Sequence, residues 1–119
     1  MRNHTNRRRF LTASAVLLSA RHSFAASTPP KSVAAVVTVY RPNSHADVIV
    51  SKILSGWKHD GGAGPNLRLA SLYVDQIPDD DMSQGLSAKH KFPIYDTIER
   101  AITLGTNRVA VDGILCIGE

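Results

Sequence analysis

Val33-Ala34-Ala35-Val36-Val37-Thr38-Val39-Tyr40, then Arg41-Pro42-Asn43, then Ser44-His45-Ala46 and a helical pattern to Trp57: this stretch decides the fold. Its first part is an almost unbroken apolar run rich in valine. That is the composition of a central parallel strand, whose two faces are both covered. A strand that feeds a helix through a three-residue turn is how a doubly wound α/β domain begins, and ligands gather at such a turn.

The helix reads clearly. Ser44 suits the N-cap, with Asp47 three residues later at the positive end of the helix dipole. Ala46, Ile49, Val50, Ile53, Leu54 and Trp57 then recur at helical spacing, which predicts one apolar stripe lying on the sheet, with Ser51, Lys52 and Ser55 outside it. Beyond Trp57, His59 to Asn66 is glycine-rich. It follows a helix and precedes a strand, the reverse of the order in which a phosphate cradle is built, and so it reads as a flexible surface connection.

Further along, Leu67 to Val74 predicts a second strand ending at Asp75, and Asp81 to His90 a helix with acids near its start. Phe92 to Tyr95 reads as a short extended piece. Asp96 and Glu99 make a capping-box pattern ahead of a third helix that runs to about Leu104. Val111 to Ile117 closes the series as a buried strand, with Cys116 as a small hydrophobe inside it. The order β-α-β-α-β-α-β predicts an α/β fold, a partial doubly wound (Rossmann-like) parallel sheet with right-handed crossovers. The sequence stops at Glu119 just as the last strand exits, which predicts an incomplete domain, from a truncated gene or a fragment. Strand edges left open in this way predict self-association.

The 119 residues suffice for one small domain. A net charge of +4 invites a nucleic-acid reading, but five of the fourteen basic residues (Arg2, Arg7, Arg8, Arg9 and Arg21) lie in the first 25 positions, which hold no acid. The remainder carries nine basic against ten acidic residues, so no nucleic-acid partner is expected. With Cys116 alone, no intrachain disulfide can form.

Residues 1–25 read as a targeting segment. A basic start is followed by an apolar stretch too short to span a bilayer, and Ser23-Phe24-Ala25 offers a small-x-small site with cleavage after Ala25. Arg7, Arg8, Phe10 and Leu11, after the polar Asn6, resemble a twin-arginine (Tat) signal. That resemblance implies export by the Tat machinery to the periplasm or beyond, without a stable membrane anchor. Residues 26–32, with Pro29-Pro30, form a linker, and 33–119 form the α/β domain.

From Val33 to Glu119 the order of pieces resembles the N-terminal part of the Gfo/Idh/MocA oxidoreductases. The resemblance rests on His45-Ala46 opening the first helix, Leu72-Tyr73-Val74-Asp75 closing the second strand, Leu86 to Tyr95 at the second helix exit, and Val111 to Ile117. It implies NAD(P) as cofactor and a sugar or polyol as substrate. Where that family has a G-x-G-x-x-G fingerprint, this chain reads Tyr40-Arg41-Pro42-Asn43-Ser44-His45. Neither the family's Glu-Lys-Pro motif nor its substrate domain is present in these residues, so no catalytic residue is assigned.

The residues expected to meet a nucleotide or other small ligand are therefore Arg41, Asn43, Ser44 and His45 at the turn, together with Asp75. Asp75 takes the place of a ribose-binding acid, although it lies about 32 residues past the turn where about 20 is usual. Arg41 offers a bidentate contact to a phosphate or carboxylate. Glu119 emerges at the carboxyl end of the last strand, where open α/β sheets place functional groups. The histidines His45, His59 and His90 and the acids Asp79 to Asp81 have no metal-ligand spacing, and no G-x-S-x-G elbow surrounds Ser44. The readings that follow are an oxidoreductase-like fragment, a non-catalytic ligand-binding module that kept the fold, or an inactive truncated product.

Overall fold

The computed structural model describes residues 28–57 and 61–119; the leader and its cleavage site lie outside them. Three strands form one parallel sheet: β1 (Lys31–Val37), β2 (Leu67–Val74) and β3 (Gly113–Ile117), in the order β2-β1-β3. Between them come helices α1 (His45–Ser55), α2 (Ser83–His90) and α3 (Ile98–Thr103). The architecture is α/β and compatible with a partial Rossmann-like fold. The extended piece at Phe92 to Tyr95 supplies an isolated parallel bridge from Ile94 to Leu72 rather than a fourth strand. Leu72 donates its N–H to the Pro93 carbonyl and accepts that of Tyr95, and Pro93, having no N–H, cannot extend the ladder.

Alternation along β1 assigns the two faces. Val33, Ala35 and Val37 pack with Ala46 and Val50 of α1 and with Leu69, Leu72 and Phe92 in the main core. Ala34 looks the other way, opposite Ser71 of β2, whose hydroxyl donates to the Ala101 carbonyl of α3 at 2.6 Å. Both Ser71 and Ala101 are fully buried, so α3 covers the face opposite to α1. Between Val33 and Ala34 the register shifts, so that Val33 pairs with Leu69 but Ala34 with Ser71, leaving Ala70 as a bulge.

Ser44 caps α1 as its sequence suggests, accepting the Asp47 N–H at 3.2 Å. The apolar stripe is narrower than its spacing implies. Ala46 and Val50 are buried, but Ile49 and Trp57 are about half exposed, and Ser51 turns inward instead. Trp57 lies past the helix, which ends at Gly56 with φ 73°. The glycine-rich loop folds back there: a Cβ on Gly64 would stand 2.4 Å from the Lys52 carbonyl, and one on Gly56 equally close to that of Gly62. Its described part is thus packed against the end of α1, not a loose surface connection.

Thr97, not Asp96, caps α3, accepting the Arg100 N–H; Asp96 pairs instead with the Arg100 guanidinium at 3.0 Å. Cys116 is exposed, contrary to its expected burial. It pairs with Val36 and shares that residue's face, on a strand with no neighbour on its outer side. No helix among the described residues is long and apolar enough to cross a membrane.

Candidate functional site

The parallel strands all end on one side of the sheet. The chain steps from β1 to β2 on one side and then crosses back from β2 to β3 on the other side of β1, and the crevice beyond the carboxyl end of β1 is where that reversal opens the sheet. A hollow of about 480 Å³ lies there, lined by Thr38, Val39 and Arg41 after β1, Gln76, Ile77 and Pro78 after β2, and Glu119 after β3.

Its wall is the turn into α1, and that turn is fully occupied by its own chain. Tyr40 is completely buried, where a glycine-built turn would leave space. Its carbonyl accepts the Met82 N–H at 2.7 Å, and its hydroxyl meets Ser51 Oγ at 3.2 Å. Ser51 donates in turn to Asp47 Oδ1 at 2.8 Å. Burial raises the Tyr40 pKa above the ordinary phenol value and the Asp47 charge adds to this, while the Ser51 hydrogen bond partly offsets both.

The turn amides are similarly engaged. Arg41 N–H bonds Ser44 Oγ, Asn43 N–H bonds Asp47 Oδ2 at 2.9 Å, and Ser44 N–H bonds the Arg41 carbonyl. Asn43 reaches this geometry in the left-handed region, with φ 65°. His45 N–H donates to Glu119 Oε2 at 3.0 Å, so a carboxylate from the far end of the chain takes the place a phosphate would claim at the helix start. His45 Nδ1 lies 3.2 Å from the Gly118 carbonyl and 3.4 Å from the same Glu119 oxygen. Two acceptors at that nitrogen call for the proton on Nδ1.

Of the residues singled out from sequence, Arg41 and Glu119 line the hollow; Ser44 and Asn43 are bonded inside the turn, and His45 reaches the hollow only through its bond to Glu119. Asp75 belongs to a neighbouring hollow of about 320 Å³, shared with Tyr73, Ile98 and Cys116; only Thr38 lines both. There Asp75 accepts the Tyr73 hydroxyl at 3.1 Å, and this bond is the main cause that raises the Tyr73 pKa. Thr38, Gln76, Ile77 and Pro78 were not foreseen as lining residues. For Gln76, Ile77 and Pro78 the one signal is position, after a predicted strand; Thr38 falls inside the first strand as expected from sequence, Val33 to Tyr40, but the strand ends at Val37 and so leaves Thr38 at the hollow.

Chemically, the hollow offers a guanidinium, a carboxylate, an amide and a hydroxyl over a floor that includes Val39, Ile77 and Pro78. Arg41 and Glu119 do not pair with each other. Among the described residues no group of three or more His, Cys, Asp or Glu is placed to hold a metal, and no hydroxyl or thiol is hydrogen-bonded to a histidine. Comparison with protein-family models, with curated proteins and with solved structures gave no match to this chain.

Proposed function

We propose that this chain is an exported, Rossmann-like binding module that takes a small hydroxylated ligand, of sugar or polyol type, at the carboxyl end of β1, and that it does not seat a dinucleotide. The observation that carries this reading is the Glu119 carboxylate on the His45 amide at 3.0 Å. A pyrophosphate at a helix start needs free N–H groups and a positive field. Here the amides of Arg41, Asn43, Ser44, His45 and Asp47 are all engaged within the chain, and a carboxylate faces the incoming charge. What remains open is a mixed set of donors and acceptors beside apolar surface, which suits hydroxyl groups and a sugar's apolar face.

The partial doubly wound sheet and the motif order support a common ancestry with the Gfo/Idh/MocA enzymes. The occupied turn supports loss of their NAD(P) seat. The Arg7-Arg8 leader supports Tat export to the periplasm. Titration of the full chain with NADH and NADPH, followed by nucleotide fluorescence, is expected to give no saturable signal. Calorimetry with a panel of hexoses and inositols should give weak binding that is lost in Arg41→Ala. Saturable NADH binding that Arg41→Ala abolishes would overturn the reading in favour of an oxidoreductase-like nucleotide half. Mass measurement of the periplasmic form tests the export arm: a chain beginning at Ala26 is expected.

A further inference from the structure

The hollow beyond β1 holds one charge of each sign, and the two are not paired. Arg41 and Glu119 both line it, yet among the described residues no carboxylate lies within ion-pair distance of the Arg41 guanidinium. The rest of the lining is uncharged. Both residues are anchored at the start of α1. Arg41 N–H donates to Ser44 Oγ at 3.3 Å and the Arg41 carbonyl accepts Ser44 N–H at 3.1 Å, so these bonds use its backbone and leave its guanidinium free of them. Glu119 is held by His45, and both of those contacts fall on Oε2. The lone pairs of Oε1 remain for a further donor.

Opposite charges in one hollow discriminate between ligands. A molecule that bears only an anion is attracted by Arg41 and repelled by Glu119, and one that bears only a cation meets the reverse. A neutral polyol makes no bond between two ions there, and so forgoes the strongest contacts the hollow offers. A molecule with one group of each sign satisfies both ends and brings no net charge. Its body then meets the remaining lining. Thr38 and Gln76 supply donors and acceptors for hydroxyl groups, and Val39, Ile77 and Pro78 supply apolar surface for a C–H face.

We propose that the ligand of this hollow is a hydroxylated zwitterion of the amino sugar acid type, with its carboxylate on the Arg41 guanidinium and its ammonium on the Glu119 carboxylate. This rests on the hollow being a site for a small hydroxylated ligand, as proposed above, and names the charges which that ligand carries. The planar guanidinium takes a carboxylate by two parallel bonds. An ammonium group brings three donors, of which Glu119 accepts one. Arg41 follows β1 and Glu119 follows β3, and these strands are neighbours in the sheet. Neighbouring strands lie only about 4.8 Å apart, so the two groups can belong to one small molecule.

Calorimetry of the full chain tests this with four probes on one carbon skeleton: glucosaminate, gluconate, glucosaminitol and glucitol. They carry both charges, the carboxylate alone, the ammonium alone and neither. Glucosaminate is expected to bind more than about tenfold tighter than each of the others, the effect of one charge-assisted bond. Arg41→Gln should erase its advantage over glucosaminitol, and Glu119→Gln its advantage over gluconate. Both variants should keep the wild-type circular dichroism spectrum, because both residues are exposed. Glucitol that binds as tightly as glucosaminate overturns the zwitterion and leaves the polyol-binding module standing, whereas binding of none of the four overturns both. A preference for glucosaminate that survives in both variants overturns the roles of Arg41 and Glu119. Should a variant fail to fold, the wild-type series decides by itself.

Discussion

The two ends of β3 carry the same device with opposite results. At each, a carboxylate accepts a backbone N–H from a neighbouring element: Asp112 takes that of Ser32 at 2.8 Å, and Glu119 takes that of His45 at 3.0 Å. At the amino end the partner is the adjacent strand, and the contact is returned. Asp112 N–H donates to the Ser32 carbonyl at 2.9 Å, and the Ser32 hydroxyl donates to the same carboxylate. The sheet closes flush. At the carboxyl end the partner is the start of a helix, and bridging strand to helix leaves a hollow of about 480 Å³ beside the carboxylate. A carboxylate on an amide is thus a fastener between adjacent strands and a site component where strand and helix diverge.

Four measurements would break or sharpen this contrast. Tyr40→Ala has the largest expected effect, because it empties the buried support of the carboxyl end; urea unfolding should show a loss of about 3–5 kcal/mol. An unchanged midpoint would mean that the turn stands without its filling. Tyr40→Phe keeps the packing and removes only the hydroxyl that meets Ser51, for a loss of about 0.5–1.5 kcal/mol. It also changes the alkaline limb. The folded pKa of Tyr40 lies above its unfolded value, so its share of stability is present below about pH 10 and is lost as pH rises through the folded value. Tyr40→Phe should flatten that decline.

Asp112→Asn tests the closed end. The Ser32 amide and then its hydroxyl hold the Asp112 carboxyl below the usual carboxylate range; burial opposes them, and the charges of Lys31 and Arg68 add to the lowering. Because the folded pKa is depressed, the stability it contributes is present above about pH 4 and is lost as pH falls through the folded value. The melting temperatures of wild type and variant should therefore differ at neutral pH and converge in acid. Glu119→Gln has the smallest expected effect on stability, within about 0.5 kcal/mol. It should nonetheless alter ligand binding in the hollow; loss of stability instead of binding would make Glu119 a second fastener.

The elements that were legible in sequence owe it to local chemistry. The apolar run from Val33, the Ser44 cap with Asp47 and the run from Leu67 each carry their signal within a few residues. The errors arise where a distant partner decides. Periodicity placed Ile49 and Trp57 on the helix's apolar stripe, but it cannot tell whether anything covers that part of the stripe. Cys116 sits in an apolar run, yet its face of the edge strand has no cover. Ser51 looked like a surface residue and is buried because Tyr40 offers it a hydroxyl. The contact that shapes the site joins residues 74 apart, His45 and Glu119, and no local pattern encodes it.

The bulge at Ala70 has a consequence for how this strand tolerates changes in length. Removing one residue from a paired strand ordinarily turns every later side chain to the opposite face. Here β2 already holds one residue more than β1 can pair, so loss of Ala70 would leave Leu69 opposite Val33 and Ser71 opposite Ala34, with both faces unchanged. A single-residue deletion that would invert an evenly paired strand is absorbed at this position, and the strand's two halves keep the faces they already have.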